Sequence, residues 1–384
     1  MKMRIAFLSD TIYPSTVGGI ERRIHELAKR LSRRHQVYIV GLRGWEGRKK
    51  LEFGRLRIHG VAPMPKLFVG ERRSIGEALY FALVMSKFVH VLNKEDIDVI
   101  DVQSAPYLHY PLLWVLKKFR ALYKARLVFT WHDVWDKYWY DYLGKLLGFI
   151  GYSVERVVAK LSKHNIAVSP RIKLMLQSLG INEVTIIPNG VDFKYIQRIP
   201  AKKDVESDVI YAGRLVREKK VELLVKAISI LKKEMKNIKC LIIGWGPKRP
   251  YIQKLVKELN LEENVKLIDP ILSYRDYIAF LKSSRVFILP SIRESFGIAA
   301  LEALAAGLPV ITFNIPQNAA KDFIIDGVNG YKVQPDPEVL AKYIIITLSS
   351  YNAMKSHAIK IASLFDWDLI AVKLENYYKK VLSI

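Results

Sequence analysis

Ser291–Ile311 reads SIRESFGIAALEALAAGLPVI. An apolar strand precedes it and ends at Pro290. A loop carrying Glu294 and Ser295 follows, and a helix then runs to about Ala306, where Gly307 supplies the residue just past the helix end. A second strand begins near Val310. Strand, loop, helix, strand is the unit from which a parallel sheet is built, because parallel neighbours need a crossover between them. The alternation continues outward in both directions. Short β-branched or apolar runs fall at Val209–Ala212, Lys239–Ile243, Val265–Ile268, Val286–Leu289, Val310–Phe313 and Tyr331–Val333 in the second half. In the first half they fall at Arg4–Leu8, Gln36–Val40, Val99–Val102, Leu127–Thr130 and Asn165–Val168. Helical patterns separate them, so the expected class is α/β with parallel sheets.

A chain of 384 residues, 51% hydrophobic, is long enough for two such domains. The stretch 192–207 is polar, holds Pro200 and keeps no period, so the boundary is expected after Val191, giving domains 1–191 and 192–365. Beyond Pro337 the chain reads as helix, interrupted at Asp366–Trp367–Asp368, which leaves 366–384 as a final helix.

One cysteine, Cys240, excludes an intramolecular disulfide and a cysteine-built metal centre. MKMRIAFLSD reaches a strand too early for a signal peptide. The longest apolar runs, near 78–92 and 138–154, are broken by Lys87, Asp141 and Lys145, so no spanning helix is expected. The formal net charge is +24, and residues 1–73 carry 17 lysines and arginines against six acidic residues, among them Arg22, Arg23, Arg48, Lys49, Lys50, Arg72 and Arg73. Such a surface attracts anionic lipid, nucleic acid or phosphorylated ligands without choosing among them, and it equally suits a solubilising charge bias.

The chemistry-bearing residues gather at strand ends. Ser295 is a candidate N-cap, and the free amides around Phe296 and Gly297 form a helix terminus suited to phosphate. Gly297 would admit a ligand close to the backbone. Glu294 precedes this helix, and Glu302 lies roughly two turns along it in an apolar setting. Adjacent sugar hydroxyls bind carboxylates well. Either acid alone reads more simply as a solvated charge; together they favour a site. In IYAGRLVREKK (Ile210–Lys220), Arg214 and Lys219 follow the first strand of the second half and would neutralise a diphosphate there without a metal. Gly18 and Gly19, in YPSTVGGIE (Tyr13–Glu21), open a helix and leave backbone accessible to an anion. His132, closing a strand in VFTWHDVW, would face a crevice and donate to a sugar hydroxyl or a reacting oxygen. His25, His35 and His164 read as structural.

Three motifs are set aside. Asp96–Ile97–Asp98 has metal–diphosphate spacing but precedes its strand, the wrong end of a sheet. Asp366 and Asp368 read as helix caps. Gly244–Trp245–Gly246–Pro247 lacks the third glycine of a dinucleotide fingerprint.

Read in order, IPNGVDF (Ile187–Phe193), GRLVREKK (Gly213–Lys220), IIGWGP (Ile242–Pro247), the Glu294-to-Glu302 pair, EALAAGLPVI (Glu302–Ile311) and DGVNGYKV (Asp326–Val333), with GGIE (Gly18–Glu21) near the start, resemble the family-4 retaining glycosyltransferases of the GT-B fold. The resemblance implies two Rossmann-like α/β/α domains with parallel sheets facing across a cleft. It implies a nucleotide-sugar donor as co-substrate, with no further cofactor and no metal, and an acceptor bound mainly by the first domain. By the same resemblance Arg214 and Lys219 hold the diphosphate and Glu302 the ribose hydroxyls. Glu294 contacts the transferred sugar beside Ser295, Phe296 and Gly297. Gly18 or Gly19 approaches the diphosphate, and His132 lies near the donor sugar. It also implies that the last helix crosses back onto the first domain. Glu294, His132, Arg214 and Lys219 are thus the candidate catalytic residues.

Lys220 departs from the family, which commonly has glycine there. Trp245, Asp269–Pro270, Ile315–Pro316–Gln317 and Asp322 depart around the base and sugar pockets, so the donor's identity is not legible. The expected activity is retaining transfer of a hexose, such as mannose or glucose, from a UDP- or GDP-sugar to a lipid-linked or glycan acceptor. The aromatic run Trp131–Tyr142 and the basic first domain suit an anionic membrane surface, with a cytoplasmic, peripheral location and no nucleic-acid partner. The rival readings are a GT-B-like epimerase or phosphorylase, and a non-catalytic basic module that would not need Glu294 and Glu302.

Overall fold

The computed structural model describes residues 2–16, 18–65, 68–69, 72–73, 75–103, 113–115, 124–271 and 273–383, with the side chains of 68–69, 72–73, 75, 77–78 and 85–86 outside that description. Val17 of the glycine turn and the side chains of Arg72 and Arg73 therefore lie outside the described residues. The chain forms two compact units, Met1–Pro188 with Trp367–Ile384, and Asn189–Asp366.

The first unit is built on strands β1 (Arg4–Leu8), β2 (Gln36–Arg43), β3 (Lys50–Phe53) and β4 (Leu56–Pro63), a short pair β5 (Phe68–Val69) and β6 (Arg72–Arg73), then β7 (Val99–Gln103), β8 (Arg126–Trp131), β9 (Asn165–Ala167) and β10 (Val184–Ile186). Its main sheet has the order β10-β9-β8-β7-β1-β2-β4-β3. All neighbours in it are parallel except β3, which runs antiparallel to β4 at the edge. The central strands are buried along their length, as parallel strands covered on both faces must be. The edge hairpin β3–β4 and the edge strand β10 are too short or too polar to be told from loop by pattern alone.

Two helices show how this core is made. In Gly19–Leu31 the buried residues Ile24, Leu27, Ala28 and Leu31 recur at helical spacing. In Trp367–Ser383 the buried set is Trp367, Ile370, Ala371, Leu374, Tyr378 and Val381. Both stripes join one apolar cluster with Ile5, Phe7, Val37, Ile39, Val99 and Val128 of the sheet. Each fully buried aliphatic side chain of this kind contributes about 1.5–3 kcal/mol.

The second unit holds β11 (Ser207–Ala212), β12 (Cys240–Ile243), β13 (Val265–Ile268), β14 (Ser284–Leu289), β15 (Val310–Phe313) and β16 (Gly330–Val333). Their order is β13-β12-β11-β14-β15-β16, parallel throughout. The chain winds one way from β11 to β13 and the other way from β14 to β16. β11 and β14 thus lie side by side while their connections diverge, and a crevice opens at their carboxyl ends, the place where ligands bind in sheets of this kind. The helical tail of this unit divides once more than its pattern suggests, into Pro337–Ser349 and Tyr351–Ser363.

Candidate functional site

In the second unit the switch between β11 and β14 gathers the charged candidates. β11 is followed by Gly213 and Arg214, then by a 3-10 turn at Arg217–Lys219. β14 is followed by the loop to Glu294. The two segments are tied by a backbone bond, with Ile292 N–H donating to the Glu218 carbonyl at 2.8 Å. Glu294 itself is held on its far side, bridging to Asn318: its N–H donates to Gln317 O at 2.9 Å, and its carbonyl accepts from Ala319 N at 3.0 Å. With both backbones fixed, Lys219 Nζ donates directly to Glu294 Oε1. Both side chains are mostly but not fully covered, at 16% and 12% exposure, so the pair can still be reached from outside.

Arg214 is exposed and makes no ion pair among the described residues. Its carbonyl accepts from the Tyr211 hydroxyl at 2.8 Å. That phenol is pushed far up by burial, and the negative charge of Glu294 adds to the effect while Arg214 opposes it. Tyr211 therefore stays neutral beneath both charged groups, a role that its position inside an apolar strand does not advertise. Lys220, directly after Lys219, holds φ 46°, ψ 37°, the left-handed region that glycine occupies at least cost. The backbone of this turn is what the family's glycine serves, and here a lysine adopts it.

The segment after Glu294 differs from the sequence expectation. The helix is Ile298–Ala305 and its N-cap is Gly297, not Ser295. Gly297 has φ 89°, and a Cβ placed there would lie 2.5 Å from Ala320 Cβ. This backbone turn and the closeness of Ala320 by themselves require glycine here. Phe296 is buried against Phe323 and Phe365, with ring centroids 5.6 and 6.3 Å away, so only its backbone is available to a ligand. Glu302 is 4% exposed, deep on the helix rather than at its wet edge. The helix closes as expected at Gly307, with Leu308 N–H on Ala303 O and Gly307 N–H on Leu304 O.

The first unit presents its own switch between β1 and β7. Gly18 caps the helix that follows β1 in extended backbone, and Gly19 begins that helix. Beside them Glu21 Oε1 accepts from Thr11 Oγ1 at 2.5 Å. His132, just past β8, does not stand free in a crevice: it is 8% exposed, and its Nε2 lies 2.7 Å from Gln103 Oε1. The amide oxygen can only accept, so the proton sits on Nε2. Burial, with help from the Arg23 guanidinium, holds the imidazole well below its ordinary range, and His132 is neutral near pH 7.

A buried chain lies behind it. Gln103 Nε2 donates to Asp101 Oδ1 at 2.9 Å, Thr130 Oγ1 donates to the same oxygen at 2.7 Å, and Tyr378 Oη donates to Asp101 Oδ2 at 2.5 Å. Burial raises the Asp101 carboxyl to about 6 against the pull of these donors and of Arg23. Arg23, lowered by burial to about 10 and so still cationic at neutral pH, donates to Pro188 O at 2.6 Å. The sequence singled out neither Asp101 nor Gln103, and it counted Arg23 with the basic surface, whereas that side chain is 2% exposed. The available signal for the first two was VIDVQ, where two polar residues two apart mark one face of an otherwise apolar strand.

The motifs set aside have structural explanations. Asp98 accepts from Arg4 N at 2.7 Å and Asp96 pairs with the Arg4 side chain at 2.7 Å, at the amino end of the sheet. A Cβ on Gly244 would meet Gly213 O at 2.0 Å, so that glycine lets two loops touch. Asp368 pairs with Arg30 at 2.8 Å.

Two family models match successive parts of the chain: Glycosyltransferase Family 4 over residues 17–195 and Glycosyl transferases group 1 over residues 192–362. An uncharacterized glycosyltransferase of Methanocaldococcus jannaschii is 24% identical, covering 98% of each chain. Alpha-monoglucosyldiacylglycerol synthase of Acholeplasma laidlawii is 24% identical, covering 89% of this chain and 87% of its own. Among solved structures, HepE of Anabaena in complex with UDP superposes with a TM-score of 0.73 at 18% identity, covering 98% of this chain and all of the other.

Proposed function

This chain belongs to the glycosyltransferases of group 1 and family 4, with the GT-B fold, and we propose that it transfers a hexose, such as mannose or glucose, from a UDP- or GDP-sugar to a lipid-linked or glycan acceptor, retaining the anomeric configuration and using no metal. The observation that carries the reading is the Lys219–Glu294 pair at the carboxyl ends of β11 and β14, with Arg214 exposed beside it.

Cations in that crevice suit a diphosphate, and Arg214 binds two oxygens at once in a way lysine does not. As the bond from the anomeric carbon to the phosphate oxygen breaks, negative charge grows on the leaving nucleoside diphosphate. Lys219 and Arg214 stabilise that charge, which is electrostatic catalysis. The acceptor hydroxyl attacks the same face, and its proton passes to the departing phosphate oxygen. Glu294 orients sugar hydroxyls and keeps Lys219 in place, while Glu302 takes the ribose hydroxyls. Neutral His132, whose one N–H is given to Gln103, can act toward the sugar only as a hydrogen-bond acceptor, neither a donor nor a cation.

A lipid-linked acceptor is supported by the name of the Acholeplasma relative, which makes a glucosylated diacylglycerol. The first unit adds a helix, Lys145–Leu161, on which Leu146, Phe149 and Ile150 are 77%, 58% and 48% exposed. That surface, with the basic charge of the same unit, suits peripheral attachment to the inner face of a membrane. No helix among the described residues is long and apolar enough to cross one.

The test is a screen of nucleotide-sugars for thermal stabilisation of the protein, because a ligand that binds only the native state raises its apparent stability. Stabilisation by a UDP- or GDP-hexose, lost in the Arg214→Ala variant, supports the reading. No stabilisation by any nucleotide-sugar overturns it.

A further inference from the structure

We propose that the first unit holds a phosphomonoester-binding site, separate from the crevice at β11 and β14, in a basic cavity between the β3–β4 hairpin and the helix Met85–Lys94. The cavity is about 350 Å³ and is bordered by Lys49, Lys50, His59, Gly60, Lys87 and His90. The inference does not depend on the donor reading, since no residue it uses belongs to the second unit.

His59 is the centre of the argument. It is 2% exposed, yet neither ring nitrogen has a hydrogen-bond partner among the described residues. An imidazole carries a donor and an acceptor, and leaving each buried and unmade costs about 1–3 kcal/mol. Its ring neighbour Tyr38 packs edge-on at 6.0 Å and satisfies neither nitrogen. In the β-ladder His59 sits opposite Lys50, so the hairpin register brings that lysine to this residue, while Lys49 precedes it with its carbonyl accepting from Gly60 N–H at 2.8 Å.

Cations outnumber carboxylates around this residue. Lys49, Lys50 and Lys87 form no ion pair among the described residues. The two carboxylates nearest His59 in charge, Glu52 and Glu95, are both engaged by Arg57, at 3.7 and 3.1 Å. Three exposed lysines without an ion pair among the described residues border this open cavity, and together they attract an anion.

The ligand's chemistry follows. A phosphate oxygen accepts from the His59 N–H and from the lysines. A protonated phosphate oxygen, present in a monoester monoanion, can donate to the other ring nitrogen. Inorganic phosphate alone would leave much of the volume empty, and Val61 and Val91 offer apolar wall to an organic substituent. A phosphorylated soluble metabolite and a phosphomonoester lipid headgroup share this group.

The experiment measures binding to the full chain with excess UDP and GDP present, so that phosphate sites for nucleotide are occupied. Glycerol 3-phosphate is titrated by calorimetry, and vesicles containing phosphatidic acid are compared by sedimentation with vesicles of equal charge made with phosphatidylserine. Saturable binding of glycerol 3-phosphate, weakened about tenfold or more in the Lys50→Gln/Lys87→Gln variant, supports a site for a soluble monoester. Preference for phosphatidic acid over phosphatidylserine, lost in the same variant, supports a headgroup site. His59→Leu is expected to be at least as heat-stable as the parent without ligand and to lose ligand stabilisation. The proposal is overturned if neither probe binds, or if binding survives in both variants. Loss of nucleotide-sugar binding with these results unchanged would count against the donor reading alone.

Discussion

Tyr378 on the last helix donates its phenol to Asp101 Oδ2 at 2.5 Å, across 277 residues of sequence. The bond joins the helix Trp367–Ser383 to the centre of the first sheet and ends a chain that continues through Gln103 to His132. Tyr378→Phe keeps the ring and removes the donor. A buried carboxyl short of one donor should cost about 1–3 kcal/mol, seen as a lower urea midpoint with an unchanged slope.

Asp101 also makes stability depend on pH. Its carboxyl is raised from an ordinary 3.8 to about 6 in the fold. The folded protein thus binds this proton more tightly than the unfolded chain. The contribution is complete below about pH 4 and is lost as pH rises through about 6, on the order of 3 kcal/mol in total. His132, held low by burial, acts in the opposite sense at acid pH. Subtracting the profile of Asp101→Asn from that of the parent isolates the first effect. The parent should lose stability relative to the variant between pH 4 and 7, and parallel profiles would contradict this.

Gln103 fixes which nitrogen of His132 carries the proton. Gln103→Leu should leave the fold within about 1–3 kcal/mol of the parent while freeing the imidazole to change tautomer. If His132 serves the donor sugar, turnover falls, and Gln103→Glu, which keeps an acceptor at that position, should recover part of it. Equal turnover in all three proteins would remove His132 from the reaction.

At the candidate donor crevice, Arg214→Ala and Lys219→Ala should each lower kcat by roughly 10²–10³, the usual effect of deleting one group that stabilises developing charge. Arg214 is exposed, so its variant should melt like the parent. Lys219→Ala leaves Glu294 without its ionic partner and should also lower Tm. Steady-state kinetics together with melting curves separate the two effects.

Two backbone positions give opposite signs. Lys220→Gly removes a side chain from a left-handed residue and should stabilise by about 1 kcal/mol. Gly297→Ala adds a Cβ at φ 89° and 2.5 Å from Ala320, and should destabilise by more than about 1 kcal/mol. Chemical denaturation of both variants measures the difference.

Most strands of both sheets are legible as apolar runs. β1, β13 and β15 begin and end where their patterns do, because buried parallel strands leave continuous hydrophobic stretches. The edge strands β3 and β10 escaped, being short and partly exposed, and β4 escaped although mostly buried, because His59 and Gly60 interrupt its apolar run. The N-cap was misplaced from Ser295 to Gly297 because cap preference is weaker than the demand of a turn wedged against Ala320. In the site, Arg214, Lys219 and Glu294 stand out as charges at strand ends. Asp101, Gln103 and His59 do not, since burial and the lack or presence of partners leave little mark on composition.

The alternation of strand and helix, the glycine at Gly307 and the clustering of charge after β11 and β14 are local properties, set by periodicity and turn chemistry within a few residues. Which side chains meet is not local. Lys219 reaches Glu294 across 75 residues because the strand order makes β11 and β14 neighbours. Tyr378 reaches Asp101 because an apolar stripe on the last helix finds the first unit's core. Hydrogen bonds and ion pairs act over a few ångströms, so only the tertiary structure, by bringing distant segments that close, decides them.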